Sequence, residues 1–282
     1  MPSSVLRLRD LRAVHALVHE CRDLGDDGAA WRRHWFAGVA GLVGADLVLG
    51  GELGGVRGGA PRDLGTAEWG WENGFNRAGW LRALELLRAD PAYSPLMGAY
   101  RVRVCREDGV ALCGSELVRD HDWGRGIEYQ EVYRTIGVHR NLWCFRFIPG
   151  RADVTHGQII ARAAGRRDFA AREQAVVAEA YAAITPLMSG ALAGFSDPAP
   201  SALAPRARDV LRCLLEGDSD KQIAARLGLS RYTVNQYAKV IFAHFGVASR
   251  AELLARWVRR GWGARCAWAG PGGGPPGPAN QP

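Results

Sequence analysis

Ser219-Asp220-Lys221-Gln222-Ile223-Ala224-Ala225-Arg226-Leu227-Gly228-Leu229-Ser230-Arg231-Tyr232-Thr233-Val234-Asn235 is the stretch that decides the fold of the C-terminal part of this 282-residue chain. A Ser followed three residues later by Gln forms a capping box, because the hydroxyl accepts the free backbone N–H while the Gln side chain reaches back. A short helix follows, with Ile223, Ala224 and Leu227 on one face and Gly228 able to take the left-handed turn at its end. Ser230 caps a second helix, in which Val234, Tyr237, Ala238, Ile241, Phe242 and Phe245 make an apolar stripe. Its other face carries Arg231, Asn235, Gln236 and Lys239. Two helices joined by a Gly-containing turn, the second with a polar and basic outer face, are what a helix-turn-helix needs to place side chains in a major groove.

Working outward, Leu203-Ala204-Pro205-Arg206 with Val210-Leu211 precedes this pair, and Gly246-Val247 and Ser249-Arg250-Ala251-Glu252-Leu253 follow it. On these residues the region 203 to 261 resembles the LuxR/GerE-type DNA-binding domain, an all-α tetrahelical helix-turn-helix. The resemblance implies that Ser230 to Phe245 is the recognition helix, and that Lys221, Ser230, Arg231, Thr233, Asn235, Gln236, Lys239 and Arg250 are the DNA-facing residues. It also implies a homodimer on double-stranded DNA. Two positions depart from the family pattern: Asn235 stands where a Lys often follows Thr-Val, and Ala207 where an acidic residue often follows Pro-Arg. Ser249 and Glu252 form another capping box, and Leu253, Leu254, Trp257 and Val258 give the last helix an apolar face that ends at Gly261.

Charge supports the same division. Between Ser201 and Trp262 there are eleven Lys or Arg against five Asp or Glu, whereas residues 1 to 200 hold 24 of each sign; nearly the whole net charge of +7 sits on the helical region. Both lysines of the protein, Lys221 and Lys239, lie there. A positive domain beside a neutral one is the electrostatic footprint of phosphate binding. The competing reading is a protein-interaction or redox-sensing module with a vestigial helix-turn-helix, distinguished by the absence of salt-dependent DNA affinity.

The first 190 residues read as a separate unit. Helices are expected at 5 to 24 and 29 to 43, a strand over 45 to 53, and a helix from Arg77 to Ala89 that Pro91 ends. The glycine-rich segment Gly50 to Gly65 reads as a flexible hairpin loop. Residues 100 to 105 alternate as a half-buried strand, Asp108-Gly109 turns into a further strand over 110 to 118, and Arg119 to Trp123 reads as a polar loop. A short helix at 128 to 133, strands at 142 to 148 and 154 to 161, and a closing helix from 169 to 188 complete the pattern. The arrangement is an α+β sensor with an antiparallel sheet flanked by helices, and it resembles a GAF-like domain, with a PAS-like one as runner-up. The expected domains are 1 to 193 for the sensor, 194 to 201 for a linker containing Pro198 and Pro200, 202 to 262 for the helix-turn-helix, and a disordered Gly/Pro-rich tail at 263 to 282. The aromatic residues Trp69, Trp71, Trp80, Trp123, Tyr129 and Trp143 are candidates to line a small-molecule pocket, with ordinary core packing as the competing role.

Several function classes are excluded. No Lys precedes Lys221, which removes a P-loop and also the Lys that a phosphoacceptor receiver needs. Asp26-Asp27 lie between two helical patterns, with no strand to aim them at a shared site. His121 between Asp120 and Asp122 lacks a second set of ligands, His15 and His19 lack the following Glu of a zincin, and there is no G-x-S-x-G. No enzyme and no cofactor are expected, and control falls to a non-covalent signal. The six cysteines Cys21, Cys105, Cys113, Cys144, Cys213 and Cys266 form no C-x-x-C pair, so a reducing cytosol is the expected compartment. A thiol signal through Cys105, Cys113 or Cys144 is the alternative switch. Met1 to Glu20 is broken by Arg7, Arg9, Asp10 and Arg12, so neither a signal peptide nor a membrane span is expected.

Overall fold

The computed structural model describes residues 6–89 and 93–262. Helix α1 (Leu8–Asp23) turns over Leu24 to Asp27 into α2 (Gly28–Val43). Asp27 caps α2 by accepting from the N–H groups of Ala29 and Ala30 at 2.9 and 3.0 Å, and Gly44 ends it at φ 63°. Five antiparallel strands follow: β1 (Leu47–Gly54), β2 (Arg62–Trp69), β3 (Ala111–Cys113), β4 (Val138–Phe147) and β5 (Val154–Ala163), in the spatial order β2-β1-β5-β4-β3. Helices α3 (Arg77–Ala89) and α4 (Pro95–Arg106) lie between β2 and β3. The short helices α5 (Gly114–Leu117), α6 (Asp120–Arg125) and α7 (Arg134–Ile136), with a π-helical turn at Tyr129–Tyr133, lie between β3 and β4. Helix α8 (Ala171–Ile184) closes this domain.

The sheet separates two cores because successive strand side chains point to opposite faces. Val48, Leu142, Cys144 and Ile160 face α1, α2 and α8, where Trp31, Trp35 and Tyr181 are fully buried. Leu49, Trp143, Phe145 and Ile159 face α3, α4 and the π-helical turn. On the first face, β1 and α2 are joined by a buried ion pair, Arg32 Nη2 to Glu52 Oε1 at 2.8 Å, with Arg151 on the other Glu52 oxygen. Burying such charges costs several kcal/mol per ion unless they are paired, so the pair pins α2 over this end of the sheet.

Four segments differ from their sequence patterns. Residues 100 to 105 are helical, within α4: Tyr100 and Val104 share a buried face with Leu96, while Val102, which alternation would bury, is exposed. The deciding signal is upstream, where the Ser94 hydroxyl accepts from Met97 N–H at 3.0 Å and Pro95 occupies the first helical turn. The strand expected over 110 to 118 shortens to β3 before Cys113 leads into α5, and the loop expected at 119 to 123 holds most of α6; the side chains of Asp120 and His121 lie outside those described. The glycine-rich segment is largely strand. Gly51 is there because neighbours crowd it: a Cβ would come 2.0 Å from the Gly65 carbonyl oxygen across the ladder. Close backbone approach, and not a flexible turn, is the reason for glycine at that position. The tail at 263 to 282 and the helix stop at Pro91 lie outside the described residues.

The remaining helices are α9 (Pro205–Glu216), α10 (Asp220–Leu227), α11 (Arg231–Phe245) and α12 (Arg250–Arg260), packed around Val210, Leu211, Ile223, Val234, Ile241, Phe245, Leu253 and Trp257.

Candidate nucleic-acid interface and sheet-domain cavity

Every boundary of α10, α11 and α12 rests on a local hydrogen bond or a left-handed glycine. Ser219 N–H donates to Gln222 Oε1 at 2.8 Å, Ser230 Oγ accepts from Thr233 N–H at 3.0 Å, and Ser249 Oγ accepts from Glu252 N–H at 3.2 Å. Gly228, Gly246 and Gly261 end the three helices at φ 65°, 61° and 68°. With the apolar stripe of α11 buried, Arg231, Asn235, Gln236 and Lys239 stand on its exposed face. Among the described residues none of these four makes a hydrogen bond or ion pair with the rest of the protein. Lys221 is likewise exposed on α10.

The other expected contacts are engaged internally. Thr233 Oγ1 shares a 2.8 Å hydrogen bond with the capping hydroxyl of Ser230, and Arg250 Nη2 donates to the Leu214 carbonyl at 3.0 Å, tying α12 to the end of α9. Two residues on the α11 face did not emerge from sequence reasoning: Tyr232, 74% exposed, and Val240, 54% exposed. The signal was available, since Tyr232, Gln236 and Val240 follow one another at intervals of four.

In the sheet domain, a cavity of about 400 Å³ lies between the second face of the sheet, α3, the start of α4 and the π-helical turn. Trp80 and Trp143 line it; Trp69, Trp71, Trp123 and Tyr129 do not. Trp69 packs beside the α2 core, Trp71 donates its indole N–H to Glu68 at 2.9 Å, and Trp123 packs against Tyr129 and Tyr133 with ring centroids 5.3 and 4.9 Å apart. The polar lining includes Ser94 and Glu128, which pattern reading missed because only the fold brings them together. The Ser94 hydroxyl donates to Glu128 Oε1 and the Leu96 N–H to Oε2 at 3.2 Å. Burial pushes the Glu128 carboxyl above its ordinary range, against the lowering effect of those two hydrogen bonds.

The two domains meet through residues 190 to 200. Trp31 Nε1 and Arg32 Nη1 donate to the Ala193 carbonyl at 2.9 and 3.1 Å, and the Phe195 ring lies 3.7 Å from the Arg32 guanidinium carbon. Phe195 packs so closely on β2 that a Cβ at Gly65 would come within 2.3 Å of its ring. Two residues on, Asp197 accepts from Arg260 Nη2 through both oxygens at 3.0 and 2.9 Å. Trp262 Nε1 donates to the Ala191 carbonyl at 2.8 Å, and the ring of His244 on α11 lies 2.9 Å from the Ala199 carbonyl oxygen. The end of α12 is thereby fastened to the segment whose other side is fastened to α2 and β2.

The thiol alternative loses support at two of its three cysteines. Cys113 and Cys144 are buried, which pushes the Cys113 thiol up to about 12 and raises that of Cys144 as well, opposite to what a thiolate sensor needs; Cys105 is exposed. Among the described residues, no three or more His, Cys, Asp or Glu side chains form a metal-holding group, and no helix is long and apolar enough to cross a membrane.

An antiparallel α+β domain joined to a helical domain with a helix-turn-helix defines the class. Residues 201–257 match the model of bacterial regulatory proteins, luxR family, so the C-terminal region is a helix-turn-helix domain of that family. The HTH-type transcriptional regulator GfsR of Streptomyces halstedii is 33% identical over 115 residues, covering 37% of this chain and 45% of that protein. An HTH-type transcriptional regulator of Mycobacterium tuberculosis is 44% identical over 59 residues, 21% of this chain and 7% of the relative. The chain thus spans less than half the length of these curated relatives. Among solved structures, Escherichia coli SdiA is similar with a TM-score of 0.32 and 15% identity over 80% of this chain and 87% of that one. SdiA in complex with octanoyl-rac-glycerol gives a TM-score of 0.36 and 16% identity over 89% and 92%.

Proposed function

We propose that this protein is a DNA-binding transcription regulator whose tetrahelical domain lays α11 in the major groove and whose N-terminal, GAF-like sensor controls it through a non-covalent small-molecule signal. The observation that carries the reading is the exposed, unengaged polar face of α11, on a domain that holds nearly the whole net charge. Asn235 and Gln236 present amide edges suited to bases, Lys239 reads a guanine or a phosphate, and Arg231 meets a phosphate at the helix start. Tyr232 extends the same face. Val258 on α12 is 78% exposed beside half-buried Leu254, which supports pairing with a second copy and two half-sites related by a two-fold axis.

Control at a distance is supported by the fastening of α12. A ligand that alters the β1–β2 end of the sheet acts on Phe195, and Asp197 two residues further holds Arg260. To switch the protein it must favour one arrangement of the domains by roughly 1–3 kcal/mol.

DNA selected from a random pool by the wild-type protein supplies the test. Lys239→Ala is expected to weaken binding about tenfold or more, roughly 1–3 kcal/mol, and to reduce the salt slope by about 1. Footprinting with the wild type should show two protected half-sites. Unchanged affinity and salt slope in the variant would remove the groove assignment.

A further inference from the structure

The cavity's lining specifies more than size. Aromatic rings from three directions border it: Trp80 from α3, Tyr133 from the π-helical turn, and Trp143 and Phe145 from β4. Into the same space comes the carboxylate of Glu128, a buried residue with a hydrogen bond already on each oxygen and no Lys, Arg or His paired with it among the described residues. Among the described residues two other acids border the cavity. Glu52 turns its side chain to the opposite face of the sheet, where Arg32 and Arg151 neutralise it, and Asp63 is half-buried and accepts from Gly65 N–H at 2.8 Å. Among the described lining residues the cationic side chain is Arg62, which is exposed.

This arrangement discriminates among ligand charges. An anion placed against Glu128 meets a like charge in an apolar enclosure, and a wholly apolar molecule displaces water from the carboxyl without replacing its hydrogen bonds. A cation satisfies both surroundings, because it pairs with the carboxylate and is attracted to the negative faces of aromatic rings. We propose that the cavity is an ammonium site, taking a small organic amine with an apolar body whose N–H groups pair with Glu128 among Trp80, Tyr133 and Trp143. The volume of about 400 Å³ lies in the range of pockets that enclose a small organic ligand. The inference rests on the reading of the N-terminal domain as a small-molecule sensor and names the chemical class that the sensor takes.

Calorimetric titration of the full-length protein with n-alkylammonium ions from butyl to decyl, and with alcohols and carboxylates of equal length, tests it. The ammonium ions are expected to bind at least tenfold more tightly than the matching alcohols, with the carboxylates weakest. Glu128→Gln, which keeps the side-chain shape but leaves one accepting oxygen for Ser94 and Leu96, should reduce the ammonium advantage over the alcohols to threefold or less. Trp80→Leu leaves the carboxylate in place and should lower ammonium affinity severalfold, so the inference stays testable if the first variant folds poorly. Alcohols or carboxylates binding as tightly as the ammonium ions would overturn the ammonium assignment and leave the sensor reading standing. Binding by none of the three classes would overturn it too. The sensor reading is decided separately by Ala83→Phe, which fills the cavity wall and should alter DNA affinity if the cavity controls the helix-turn-helix.

Discussion

On α11 the polar side chains of Asn235, Gln236 and Lys239 stand in solvent on a helix whose ends are set by residues three or four positions away, whereas Glu128 is buried beside rings contributed by α3 and β4. The two surfaces are built by different means. In the helix-turn-helix region, Ser caps, left-handed glycines and one apolar stripe per helix suffice, and the face proposed to read DNA is what the stripe leaves outside. In the sheet domain, β1 pairs with β5 about a hundred residues later, Leu53 with Thr155 and Glu52 with His156, and α2 is locked by contacts to Glu52 and Ala193. A groove-reading surface needs only a rigid helix, which local bonds supply. A cavity needs walls from several elements held apart, which only long-range pairing supplies.

The sharpest way to break this contrast is Arg32→Ala. Removing the guanidinium leaves buried Glu52 with Arg151 as its remaining partner and strips hydrogen bonds from the Gly28 and Ala193 carbonyls, so the sheet domain should lose about 3–5 kcal/mol. Urea unfolding followed by hydrogen exchange should show α2, β1 and β2 opening first while α10 and α11 keep their protection. Equal loss in α11 would mean that the helical domain depends on the sheet for its stability.

A smaller effect is expected at the junction. Arg260→Ala removes the two-pronged bond to Asp197, and charged hydrogen bonds of this kind contribute roughly 1.5–3 kcal/mol. Because that bond joins the domains and lies in the core of neither, limited proteolysis should speed up at residues 194 to 201 while both domains keep their own melting transitions. A drop in the sheet-domain transition comparable with that of Arg32→Ala would place the bond among the domain's own supports.

Least costly is the loss of a single cap. Ser230→Ala should destabilise the start of α11 by about 1 kcal/mol, read as faster amide exchange at Thr233 and its neighbours with no change in the sheet domain. If exchange in β1 and β2 responded as well, the cap would be transmitting through the junction, and the two regions would be less independent than their construction implies.

How much of this was legible depended on the range of the interaction. Arg77 to Ala89 is a helix over the span that its pattern indicates, and Ser219, Ser230 and Ser249 each start the helix that their spacing marks. Tyr100 to Cys105 misled because Tyr, Val and Val at alternate positions fit a strand, while Tyr100 and Val104 also fit one helical face; the Ser94 cap and Pro95 upstream decide for the helix, and Tyr100 then packs against Trp143 and Phe145 at centroid distances of 5.7 Å each. The candidate pocket residues divided for the same reason. An indole at Trp71 and one at Trp80 look alike in sequence, yet Glu68 accepts from both indole N–H groups, and of the two rings Trp80 borders the cavity.

The amino-acid sequence by itself determined the order of the helices from α10 to α12, the residues left on the outer side of α11, and the absence of the Lys that phosphate chemistry would require before residue 221. These rest on bonds within one helical turn and on residue types, which survive without knowledge of the rest of the chain. Only the tertiary structure decided that Glu128 faces a cavity, that Arg32 meets Glu52, that Arg250 holds Leu214 and that Asp197 fastens α12. Those partners lie 20 to more than 60 residues apart. A carboxylate reads the same in sequence whether it ends in water, against a guanidinium or among aromatic rings, and its chemistry is set by which of these the fold places beside it.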